Sequence, residues 1–164
     1  RGVTIEQDGE FPQSSSTTFT VKTTQKQHFA LNLLIPSWAE KASISINGKK
    51  TSVKVTGKAR YHTISRKWKD SDKVQLHLQG GFKIHHLQGD CQTIAISYGP
   101  MLLAFIENDK IELQLTEHQL LNNLQATDAS KGIFTLNHNG KQYTLRPLFD
   151  VDDETYSVYV QLKP

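Results

Sequence analysis

Apolar residues recur at every second position through most of this chain, and that period admits little besides β-strands. Phe29, Leu31, Leu33 and Ile35 fall on one face of an extended segment while Ala30 and Asn32 fall on the other, because successive side chains of a strand point to opposite sides. The same alternation runs through Val74-Leu76-Leu78, Ile94-Ile96, Ile111-Leu113-Leu115 and Val158-Val160-Leu162. About a dozen such runs, spaced by roughly 8–12 residues and separated by Gly, Asn, Asp or Lys, predict antiparallel sheets packed as a sandwich or jelly roll. The expected fold class is all-β, as one sandwich or as two small packed lobes.

Turn chemistry supports this. Asn47-Gly48 and Asn139-Gly140 lie between alternating segments, where a two-residue hairpin loop needs positive φ at both central positions. Both pairs are expected at hairpin tips. Pro36 has no amide hydrogen for a central ladder, so it is expected to end the strand that begins near Phe29, with Trp38 just beyond. One segment departs from the pattern: Thr116-x-x-Gln119 reads as a capping box, and Leu120, Leu121 and Leu124 recur at helical spacing. A short helix within 117–126 is predicted. Asn122-Asn123 and the polar stretch 128–132 also fit a connection between lobes. The resulting domain reading is a main sandwich over 1–108 and terminal strands, or a second small lobe, over 109–164.

A chain of 164 residues can bury roughly 70% of its unfolded surface, so it needs neither a disulfide nor a metal to hold its core. Cys91 is the single cysteine, which excludes an internal disulfide and a thiolate zinc cluster. The 19 Lys and Arg exceed the 16 Asp and Glu by +3 and are mixed among them. So weak and dispersed a field does not suit a phosphate backbone, and nucleic acid is not an expected partner. No apolar run approaches the ~18 residues of a spanning helix, so no membrane helix is expected. The start, Arg1-Gly2-Val3-Thr4-Ile5, has neither a charged lead nor an apolar signal core and enters an alternating pattern at once, as a cut through a longer chain would.

The densest group of oxygen ligands is Asp150, Asp152, Asp153 and Glu154, the candidate site for a hard cation such as Ca²⁺. It lacks the glycine turn and closing glutamate of an EF-hand loop, so a solvated acidic loop is the plainer reading. Close neighbours on a turn also rarely achieve the roughly 5–9 Å separation of a glycosidase carboxylate pair. His85-His86 point to opposite faces if they lie on a strand and do not readily share a metal. Cys91 leads into an apolar strand beside Asp90, which works against a reactive thiolate. No phosphate loop, Gly-x-Ser-x-Gly elbow or His-Glu-x-x-His helix occurs in the sequence, so no cofactor is expected in this chain. The remaining handle is aromatic. Trp38, Tyr61, Trp68 and Tyr98 are the candidates for stacking on sugar rings, although Ile64, Arg66 and Trp68 alternate onto one face, a pattern that more often buries an indole.

Several short motifs together carry a resemblance. Ile35-Pro36-Ser37-Trp38-Ala39, Ile44-Ser45-Ile46-Asn47-Gly48, Tyr61-x-x-Ile64-x-Arg66-x-Trp68, Asp72-Lys73-Val74, Tyr98-Gly99-Pro100, Arg146-Pro147-Leu148-Phe149 and Tyr156-Ser157-Val158-Tyr159 follow one another along nearly the whole chain. In order and spacing they resemble the β-sandwich region of glycoside hydrolase family 127, the β-L-arabinofuranosidase-like proteins. The resemblance implies a non-catalytic accessory domain whose partner is an (α/α)6 barrel carrying a glutamate acid/base, a cysteine nucleophile and a thiolate-bound zinc. No residue here aligns with that barrel, and Cys91, in a sandwich strand, does not inherit the nucleophile's role. Contact with carbohydrate through the exposed aromatics is the alternative. A secreted or periplasmic bacterial parent acting on plant glycans is implied by the same analogy. The chain departs from the pattern at Ser71, where a glycine often precedes the aspartate, and the type of that turn is left open.

Overall fold

The computed structural model describes residues 2–128 and 131–163, so Ala129 and Ser130 of the predicted polar connection lie outside the described residues. The chain forms two compact units, residues 1–81 and 82–164. This division falls well before the boundary read near residue 108, because the strands between 82 and 108 take their hydrogen-bonded partners from within 82–164.

The first unit contains β1 (Val3–Asp8), β2 (Ser16–Thr23), β3 (Gln27–Ile35), β4 (Ala39–Ile46), β5 (Lys49–Val53), β6 (Arg60–Trp68) and β7 (Lys73–Gly80). Five of them form an antiparallel sheet in the order β1-β2-β7-β4-β5, while β3 and β6 pair as a separate ribbon. The ribbon keeps one register from Gln27 opposite Trp68 to Ile35 opposite Arg60. As the alternation predicts, Leu33 and Ile35 turn inward and join Val21, Ile44, Trp68 and Val74 in one core. β3 ends at Ile35, where Pro36 withdraws a donor from the ladder. Asn47 and Gly48 have φ of 48° and 86° and form the β4–β5 tip, the backbone that an Asn-Gly pair supplies.

The turn between β6 and β7 is tied to two neighbours. Asp72 is only 1% exposed; its carboxylate accepts from the Asn47 side-chain amide at 2.9 Å and the Lys69 amide at 3.0 Å. Asn47 Oδ1 in turn accepts from the Lys73 amide at 2.8 Å, and the Val21 amide donates to the Asp72 carbonyl at 2.9 Å. Ser71 has φ of 64°, so this turn uses the left-handed conformation that glycine adopts freely. Ser71→Val is therefore expected to cost about 1–3 kcal/mol while Ser71→Gly is tolerated. Urea unfolding of both variants checks this, and equal effects would show that φ is not the constraint.

The second unit contains β8 (Phe82–Leu87), β9 (Asp90–Tyr98), β10 (Met101–Ile106), β11 (Glu112–Leu113), α1 (Glu117–Asn123), β12 (Leu124–Asp128), β13 (Ile133–His138), β14 (Lys141–Pro147), a single 3-10 turn (Leu148–Asp150), β15 (Tyr156–Ser157) and β16 (Val160–Leu162). They build one sheet in the order β11-β16-β9-β10-β14-β13-β12, with β8 beside β9 and β15 beside β10. All pairings are antiparallel except β11 with β16. Asn139 and Gly140, at φ of 49° and 74°, form the β13–β14 tip. The helix begins at its capping box, Thr116 with Gln119, and Leu120 joins Ile94, Ile96, Phe105 and Leu136 in the core of this unit.

Candidate functional site

The four aromatic candidates have different fates. Trp68 ends β6 at an inward position and is 0% exposed. Its Nε1 donates to the Phe29 carbonyl at 3.0 Å, its ring stacks on Phe29 at 5.6 Å, and the Arg66 guanidinium lies over it at 5.1 Å. It presents no surface to a ligand. Tyr98 is half-buried among Phe82 and Phe134, with ring centroids 5.0 and 4.9 Å away, an edge-and-tilt cluster that belongs to the core of the second unit. Trp38 is half-buried and stacks on Phe11 at 6.1 Å. Tyr61 alone stands fully in solvent, 68% exposed, opposite Leu34 on the outer face of the β3–β6 ribbon. Beside this pair, Thr63 donates to Asn32 Oδ1 at 2.7 Å. Trp68 and Tyr98 thus pack into the cores of their own units, while Trp38 and Tyr61 keep exposed surface.

Arg146 organises the acidic run. This residue pairs with Ala104 across β14 and β10 and extends its guanidinium into the following turn. Nη2 donates to the Asp150 carbonyl at 2.6 Å and to Asp150 Oδ2 at 3.0 Å, while Nη1 donates to Glu154. Glu154 also accepts from the Asp152 amide at 3.1 Å. The Asp152 amide, the amide of Glu154 itself and the Arg146 charge hold the Glu154 carboxyl below the usual carboxylate range. Two of the four candidate ligands are therefore spent on an arginine. Among the described residues no three His, Cys, Asp or Glu side chains converge as metal ligands.

A hollow of about 470 Å³ in the second unit is lined by His86, Cys91, Gln92, Leu115, Thr116, Glu117, His118 and Leu162. Both adjacent histidines are exposed, so neither faces the core. His85 Nε2 lies 2.8 Å from Ser97 Oγ, whereas His86 sits 2.9 Å from the Cys91 carbonyl and 3.0 Å from Glu117. Nδ1 of His86 thus faces the Cys91 carbonyl and Nε2 the Glu117 carboxylate. Asp90 turns to its own strand, where the Thr93 hydroxyl and then the Gln92 amide hold its carboxyl low.

Beyond the four candidates, Phe149, Tyr156 and Tyr159 are 52%, 47% and 55% exposed. Phe149 lies in the 3-10 turn, Tyr156 in the two-residue β15 and Tyr159 between β15 and β16, so no strand is long enough to mark them by a period. The only local signal is the density of aromatic and acidic residues between 149 and 159.

Residues 1–80 match the family described as "Beta-L-arabinofuranosidase, GH127 middle domain". No curated protein matches the sequence. Among solved structures the fold is similar to a glycoside hydrolase (TM-score 0.69, 16% identity, 99% of this chain and 32% of that one). It is also similar to a GH127 β-L-arabinofuranosidase from Geobacillus stearothermophilus T6 (TM-score 0.63, 18% identity, 98% and 31%). A further GH127 β-arabinofuranosidase matches with TM-score 0.64 and 18% identity over 98% and 32%. The chain spans about a third of the length of the solved chains it matches.

Proposed function

We propose, from the match of residues 1–80 to the GH127 β-L-arabinofuranosidase middle domain, that the chain is a non-catalytic accessory region of a larger glycoside hydrolase. In that role it supports a catalytic (α/α)6 barrel acting on plant glycans. The observation that carries the reading is where the match falls: on a middle domain, in solved chains about three times as long. The chemistry of the chain agrees with it. The most deeply placed polar and aromatic groups, Asp72 and Trp68, are consumed by the fold of the first unit, and Arg146 spends its charge on its own loop.

The test is the size of the native product, read with an antibody raised against this chain. A band about three times 18.5 kDa is expected; a band at 18.5 kDa itself would overturn the reading. The isolated chain is also expected to release no product from an aryl β-L-arabinofuranoside. Turnover that tracks the purified chain would remove the word non-catalytic.

A further inference from the structure

The segment from Phe149 to Tyr159 exposes three aromatic rings, two of them at the ends of a turn that Arg146 ties together. Asp150 and Glu154 are drawn onto the same guanidinium of Arg146, so Phe149 and Tyr156 stand at the two ends of one closed turn. Val151 closes the 3-10 turn onto the Leu148 carbonyl, Tyr156 is held opposite Ile106 in β15, and Ser157 Oγ donates to the Tyr159 carbonyl at 2.7 Å. Asp152 and Asp153, between the rings in sequence, are exposed.

We propose that this turn is a glycan-contact surface, in which Phe149, Tyr156 and Tyr159 stack on the C–H faces of a neutral sugar chain and Asp152 and Asp153 accept its hydroxyl groups. A backbone that is already fixed loses little freedom when its side chains stack, and a sugar offers an apolar face together with many donors. The carboxylates decide among ligands. An apolar protein surface seated on these rings would bury Asp152 and Asp153 without donors, and aspartate is depleted at the centre of such interfaces for that reason. An anionic polymer, whether nucleic acid or a uronate-rich glycan, would meet like charge from the four acidic residues, which the single Arg146 does not neutralise. A neutral hydroxyl-bearing chain satisfies both the rings and the carboxylates. The inference goes beyond the accessory-domain reading and does not depend on whether a barrel lies beside the chain.

Native gel electrophoresis of the 164-residue chain through gels containing arabinan, arabinoxylan or polygalacturonate tests it. Retardation by at least one of the two neutral polymers is expected, with polygalacturonate inert. The Tyr156→Ala, Tyr159→Ala double variant should bind about tenfold more weakly or worse while its circular dichroism melt is kept. Phe149→Ala serves as the second reading should the double variant fail to fold. Absence of retardation by both neutral polymers would overturn the proposal. So would equal retardation of wild type and folded variants, which would move any binding to another surface such as Tyr61, or a stronger response to polygalacturonate. Protection of the three rings from solvent labelling only in a longer native protein, with no response to glycan, would assign the turn to a protein interface instead.

Discussion

Trp68→Ala is expected to destabilise the first unit by about 3–5 kcal/mol, the range for removing a large aromatic from a closed core. The indole is wholly buried and serves the ribbon in three ways. It fills the space among the inward side chains of β3, β6 and β7. Its N–H crosses to the Phe29 carbonyl, which would be left without that donor in the variant. Its face also supports Phe29 on one contact and Arg66 on another. Because a domain of this size holds together by only about 5–15 kcal/mol, such a loss takes about a fifth of the total or more. Urea unfolding followed by circular dichroism provides the measurement. A loss below about 1 kcal/mol would mean that the indole is not the keystone of this core. Trp68→Phe keeps most of the volume but not the N–H, so it separates packing from the hydrogen bond.

The second large effect is expected at Asp72, where Asp72→Ala should cost about 2–4 kcal/mol near neutral pH. The substitution takes the acceptor from Asn47 and from the Lys69 amide at once, and so loosens the β4–β5 tip from the β6–β7 turn. Burial by itself would push the Asp72 carboxyl up. The Lys69 amide, the Asn47 amide and the charges of Arg66 and Lys69 outweigh it and hold the carboxyl below its ordinary value. A carboxyl lowered in the folded state contributes stability that is present above its unfolded pKa and is lost as pH falls through the folded value. The gap in stability between wild type and Asp72→Asn should accordingly be full at about pH 7 and shrink toward about pH 3. A gap that stays constant across that window would show that the charge of Asp72 contributes nothing and that only its shape is needed.

Features set by neighbours in sequence were open to reading before the fold was known. The alternation of β3, the stop at Pro36, both Asn-Gly tips and the Thr116 cap all appear where local chemistry puts them, since each depends on backbone dihedrals within a few residues. The departure at Ser71 also resolves locally, because serine takes the positive φ that the turn demands. Features set by distant pairing were not legible. The division after Gly81 arises because β9 takes β10 and β16 as neighbours and β10 takes β14, and nothing in residues 90–106 announces which strands those will be. The candidate surface shows the same contrast. The alternation of Ile64, Arg66 and Trp68 pointed to a buried indole, but the exposure of Phe149, Tyr156 and Tyr159 rests on an arginine that reaches across its own turn, a contact without a period.

The strand order of the two sheets also dictates when each unit can come together. In the first unit Ser16 pairs with His77, and in the second Ile94 pairs with Val160, so each sheet is closed by partners about sixty residues apart. Contacts of that separation are late and slow to form, because the entropy of bringing the ends together is spent before the ladder returns anything. On a ribosome the first unit must therefore wait until β7 has emerged and the second until β16 has, with the earlier strands holding unpaired edges in the interval. The chain is assembled in two successive closures, and a stop placed shortly before either closing strand would release an open sheet rather than a smaller domain.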